Sequence, residues 1–152
     1  MLFRSDGHQS RTSGTTTTLS STDVPGHSNF IIAPDPPFDW RSPQNNSLWQ
    51  GVNGINNPCP PGWRIPTISE WLNEASYWAT NPYASPLKNV DAGVRWYDRG
   101  NVEYYGAVSY WSSDILTYNG TLYSYYLRVA NTYSGVPSNQ RAFGFSVRCI
   151  KD

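Results

Sequence analysis

Between Pro66 and Ala79 the apolar side chains of "PTISEWLNEASYWA" return at helical spacing: Ile68, Trp71, Leu72, Ala75 and then Trp78 or Ala79. Thr67 followed three residues later by Glu70 forms a capping box, with Pro66 just before it. The pattern predicts one clear helix, from about Ile68 to Ala79. On it Glu70 is a cap and Glu74 belongs to a solvated face, which accounts for both carboxylates without a catalytic pair.

Elsewhere the period is shorter or absent. Residues 5 to 29 are rich in Ser, Thr and Gly with hardly an apolar side chain, and taken alone read as a flexible arm or long loop. In residues 30 to 56 Pro, Asn and Gly interrupt every apolar run, which predicts irregular structure pinned by Phe30, Ile31, Phe38, Trp40, Leu48 and Trp49. From Leu87 onward the chain reads as short strands and turns. A hairpin is expected about Asp98 to Asn101, with strands at "SYWSS", "LYSYYLRVAN" and "FGFSVRCIK". Few strands, one helix and much loop place the expected fold in the α+β class, as a single domain over residues 1–152.

Alternation also assigns faces. In "SYYLRVA" Tyr125 shares a face with Leu127 and Val129, whereas Tyr126 and Arg128 share the other, so Tyr125 is expected in the core and Tyr126 at the surface. Tyr104 and Tyr105 fall on opposite faces, and one of them should be structural.

Composition changes the picture most through its aromatic residues. Lys and Arg number 11 and Asp and Glu 11, so the formal net charge is zero. Charged residues are only 14% of the chain, leaving no field to attract nucleic acid or an anionic membrane. Tyr is abundant, and nine of the eleven tyrosines fall between Tyr97 and Tyr133 among Asn, Ser, Gly and Asp. That mixture suits recognition, since Tyr offers large contact area with few rotors to freeze while Ser, Gly and Asn adapt their hydrogen bonds. The plainer account is that Tyr fills a β-sheet, where it is favoured anyway. A recognition face would comprise Tyr97, Asp98, Tyr118, Asn119, Tyr123, Tyr126, Arg128, Asn131 and Tyr133.

Catalytic chemistry has little to build on. Three Glu and eight Asp show no calcium-loop pattern, no Gly-rich phosphate cradle precedes a helix, and His8 and His27 lie far from the polar loops. No enzyme activity, metal or other cofactor is expected. No apolar run approaches the roughly 18 residues a membrane helix needs. Residues 1 to 25 lack the charged-then-apolar order of a signal peptide, so export would need a signal upstream. Cys59 and Cys149 are too few for a zinc site. They are either a disulfide, which is the economical reading and implies an oxidising compartment, or two buried thiols.

Taken together, "NPCPPGWRIPTISEW", "YWSSD" and "RAFGFSVRCIKD" resemble the Fibrobacter succinogenes major paralogous domain, a relative of the C-type lectin fold. "DGHQSRTSGTTTTLSSTDVPGHSNFI" and "DWRSPQNNSLWQGVNGINNPCP" extend the resemblance over nearly the whole chain. The family's aromatic-Gly-Arg segment before "DG" is reduced here to "LFRSDG", which suggests a missing N-terminal strand. The resemblance implies a twisted antiparallel sheet with the helix packed on it, and it makes residues 5 to 29 an ordered loop. It also implies that Cys59 pairs with Cys149.

The calcium-dependent sugar motifs of C-type lectins do not occur; "YWSSD" has Ser112 and Ser113 where such ligands would be sought. The paired active-site cysteines of formylglycine-generating enzymes, another related group, do not carry over either. What the resemblance implies is a non-catalytic adhesion or receptor-recognition domain, extracellular, at a cell surface or on a phage particle. Its partner would be a protein or glycan receptor, and it could be the variable protein of a diversity-generating retroelement. The alternative is a structural module of a surface appendage or phage fibre.

Overall fold

Thr67 begins the helix as the sequence requires. In the computed structural model, which describes residues 14–77, 83, 87–130 and 133–152, α1 runs over Ile68–Ser76 with Tyr77 as its C-cap. Trp78 and Ala79, expected in its last turn, lie outside the described residues. The Thr67 hydroxyl accepts the Glu70 N–H, and the Glu70 carboxylate accepts the Thr67 N–H at 2.8 Å. Asp114 adds a third acceptor, taking the Ile68 N–H at 2.6 Å, so the orphan amides of the first turn are met from two elements.

Arg64 grips the same Glu70 carboxylate with two nitrogens, at 2.7 and 2.8 Å. That guanidinium, with the Thr67 backbone and hydroxyl, holds the Glu70 pKa down at about 2. A folded-state pKa below the usual carboxylate value of 4.5 stabilises the fold above pH 4.5 and ceases to do so as pH falls towards 2. About a third of the Glu70 side chain meets water, so screening limits this to about 1 kcal/mol. Between pH 5 and pH 2 the melting temperature of Glu70→Gln should therefore fall less steeply than that of the parent. Parallel curves would remove Glu70 from the acid response.

The sheet is built on one long hairpin. β6 (Val108–Tyr118) and β7 (Thr121–Ala130) are antiparallel and joined by Asn119 and Gly120, both at positive φ (48° and 75°), the two-residue turn that matches strand twist. β8 (Tyr133–Gly135) pairs with the end of β7 at Arg128–Ala130, and β9 (Ser138–Gln140) pairs with Tyr123–Tyr125. Shorter ladders complete the fold. β1 (Thr15–Thr16) lies parallel to β2 (Phe30–Ile31), β3 (Trp63–Arg64) pairs with β10 (Ile150–Lys151), and β4 (Val94–Arg95) pairs with β5 (Val102–Glu103). The class is α+β, and the described part of the Ser/Thr-rich segment, residues 14–29, is an ordered loop tied to β2 and to Trp40 and Ser42.

Both faces of the central hairpin are covered. Val108, Tyr110, Leu127 and Val129 meet Trp71 and Ala75 of α1 on one face. Trp111 and Tyr126 meet Val94, Phe143 and Phe145 on the other. This reverses the expected assignment of two tyrosines: Tyr126 is buried, at 7% exposure, and Tyr125 is only half-buried. Alternation identified the two faces correctly, but the returning segment around Phe143 and Phe145 turns the presumed solvent face into a second core.

That segment also departs from expectation. "FGFSVRCIK" forms no continuous strand because it changes partner as it goes, bridging Arg95 at Gly144, Tyr110 at Ser146 and Arg64 at Ile150. Gly144 permits the first crossing, since a Cβ there would stand 2.9 Å from the Arg95 Cβ. A third cluster, holding Ile31, Trp40, Leu48, Trp49 and Ile65, sits under the irregular N-terminal half. Cys59 and Cys149 are bonded beside it, with Cα atoms 5.8 Å apart.

Candidate functional site

An open cavity of about 400 Å³ lies on the second-core face, at the seam between the β4–β5 hairpin and the central sheet. Its walls are aromatic: Trp96 and Tyr105 from the hairpin, Tyr126 from β7, and Phe143 and Phe145 from the returning segment. Polar groups reach it from the sheet. Ser109 and Arg128 are directly opposed on β6 and β7, and Asn139 comes from β9. Apolar walls with a few convergent polar groups are the usual make-up of a ligand site.

The hairpin wall is held in place at several points. Asp91 accepts the N–H of Gly93 at 2.8 Å and of Gly106 at 2.9 Å, tying both roots of the hairpin to one carboxylate. Arg95 and Gly144 exchange two backbone hydrogen bonds of 2.9 Å, and the Arg95 Nε donates to the Gly100 carbonyl at 2.7 Å. Above this base the Trp96 indole N–H donates to the Tyr105 hydroxyl at 3.0 Å, and the two rings meet edge to face. Arg99 stacks over Trp96 and is balanced by Glu103 at 3.2 Å. The rim is thus set before any ligand arrives, which lowers the ordering cost of binding.

The nine residues expected on one face do not form one site. Tyr126 and Arg128 line the cavity, Tyr126 as a buried wall rather than a surface group. Tyr118 and Tyr123 line a second, shallower hollow of about 260 Å³ with Leu116, Ser138, Asn139 and Gln140. By register that hollow belongs mainly to the opposite face of the sheet, since Tyr123 lies one position off the alternation of Ser124 and Tyr126. Tyr97 is half-buried between Phe38 and Phe143, with centroids at 5.7 and 4.8 Å, and joins two clusters of the core. Asp98 is exposed in the β4–β5 turn and Asn119 forms the β6–β7 turn. Asn131 lies outside the described residues, as does the side chain of Tyr133, whose backbone pairs with Ala130.

Trp96, Tyr105, Ser109 and Asn139, like the apolar wall residues Phe143 and Phe145, also line the cavity and were not singled out by the sequence as site residues. Tyr104 and Tyr105 are both exposed, although one was expected to be structural. The serines of "YWSSD" serve the scaffold: the Ser112 hydroxyl accepts the Asp114 N–H, and Ser113 bonds Pro66 and Gln50 through its backbone. Compared with protein-family models, curated proteins and solved structures, the chain has no match.

Proposed function

We propose that this domain is a non-catalytic recognition module of the C-type-lectin-like kind, related to the Fibrobacter succinogenes major paralogous domain, that engages a protein or glycan receptor through the aromatic cavity. The observation carrying the reading is the preset rim. Trp96 and Tyr105 are locked to each other at the mouth of a cavity whose floor is core, and Tyr105 is still 52% exposed. Aromatic side chains fixed at an open pocket are typical binding hot spots. The Cys59–Cys149 bond supports an extracellular setting, because such bonds persist in oxidising compartments. If the gene is a retroelement target, a near-copy of its 3′ coding segment differing at adenines should lie beside a reverse transcriptase.

A screen against glycans and cell-surface proteins tests the reading. Tyr105→Ala should change stability by about half a kcal/mol or less, because the ring is exposed, yet weaken binding by about 1 to 2 kcal/mol. Tyr118→Ala, in the separate hollow, should leave that binding intact. The opposite result would move the site to the hairpin tip, and a screen with no specific partner would favour the fibre-module alternative.

A further inference from the structure

We propose that the aromatic cavity seats one neutral pyranose ring of a glycan, with its C–H face on the aromatic floor and its edge hydroxyls held at two opposite ends; this rests on the recognition reading above and names its ligand class. The placement of the polar groups carries the assignment. Ser109 stands opposite Arg128 on β6 and Asn139 opposite Ser124 on β9, so the two flank β7 from either side, four residues apart along it. Directly opposed residues share a face, and Tyr126, midway between Ser124 and Arg128, lies on that face between the two ends. The Asn139 Oδ1 accepts the Gln140 N–H at 3.0 Å, which leaves its amide N–H groups for a guest. The Ser109 hydroxyl has no partner among the described residues. At the rim the Tyr105 hydroxyl accepts the Trp96 N–H and keeps its own proton to give. Arg128 already interacts within the fold, so these neutral groups are what the cavity offers a guest.

Hydrogen-bonding groups at both ends, with aromatic rings between them, select the guest. An alkyl chain with one polar head would satisfy one end and strip water from the other without replacing it. A flat aromatic guest needs parallel walls, and these are inclined, Trp96 to Tyr105 by 77° and to Phe143 by 54°. Phe143 and Phe145, closer to parallel, are stacked on each other at 5.2 Å and leave no slot between them. A pyranose with equatorial hydroxyls meets both conditions, because its polar groups ring the edge while its faces present C–H groups. It would lie against Tyr126, Phe143 and Phe145, with edge hydroxyls turned to Ser109 at one end, Asn139 at the other and Tyr105 at the rim.

Amide NMR titration of the full chain with cellotetraose, whose ring hydroxyls are all equatorial, tests this beside two controls, indole as a flat ring and octanol as a chain. Cellotetraose should shift the amides of Ser109, Tyr126 and Asn139, leave that of Tyr118 in place, and bind at least about tenfold more tightly than either control. Ser109→Ala and Asn139→Ala should each weaken it by about three- to tenfold, whereas Tyr118→Ala should not, and melting curves show whether each variant folds. No binding of cellotetraose, equal or tighter binding of indole or octanol, shifts centred on Tyr118, or an affinity indifferent to both cavity substitutions overturns the proposal. A cell-surface protein bound through Tyr105 with cellotetraose unbound overturns it while leaving the recognition reading intact. Absence of any partner sensitive to Tyr105→Ala removes that reading as well.

Discussion

Reduction of the Cys59–Cys149 bond, or its replacement by two serines, is expected to cost about 4 to 5 kcal/mol and lower the melting temperature by roughly 10–18 °C. The bond joins residues 90 apart, so it removes much of the freedom of the unfolded chain. In the folded state it stands beside a ladder of only two residues per strand, Trp63–Arg64 with Ile150–Lys151, which would hold the C-terminus weakly alone. The Arg64–Asp152 pair at 2.7 Å assists there but is partly exposed and worth little. Two consequences can be told apart by hydrogen exchange. A bond acting through the unfolded state lowers protection at Leu127 and Val129, deep in the sheet, as much as at Ile150. A loss confined to residues 148–152, or a melting shift under about 2 °C, would reduce the bond to a local clip.

What the sequence disclosed was governed by distance along the chain. The capping box at Thr67 and Glu70 and the hairpin after Tyr97 each involve residues within a few positions of one another, so local spacing sufficed. Tyr126 shows where that ends. Its neighbours Tyr125 and Leu127 reveal which way it points, but nothing near it announces that Phe145 will pack on it with ring centroids 4.4 Å apart. Tyr97 failed for the same reason, being captured by Phe38 from one side and Phe143 from the other. The cavity needed Trp96, Tyr126 and Phe143 brought together from three separate segments. Abundant Tyr among Ser and Asn signalled recognition chemistry, and it could not say which rings form the core and which form the rim.

Arg141→Met is expected to destabilise the fold by about 3–5 kcal/mol, because it strands the buried Asp39 carboxylate without its cation. Both side chains are essentially sealed, at 1% and 0% exposure, with nitrogen and oxygen 3.3 Å apart. Burial pushes the Arg141 pKa down, and Asp39 opposes that push. The pair is embedded in further contacts. Arg141 donates to the Asn45 carbonyl at 2.9 Å and lies over the Trp49 ring, while Asp39 accepts the Arg41 N–H and the Gln44 side-chain amide. Gln44 in turn bonds both the N–H and the carbonyl of Leu122, so the ion pair fixes the irregular 39–45 segment against the start of β7. Asp39→Leu should be costly in its turn, leaving a guanidinium buried in the same place. The combined Arg141→Met and Asp39→Leu protein should lose far less than the sum of the two, since an apolar pair of similar volume removes both desolvation penalties at once. Additive losses, or single variants within 1 kcal/mol of the parent by urea denaturation, would show that the two charges are not coupled and that Asn45 and Gln44 satisfy them separately.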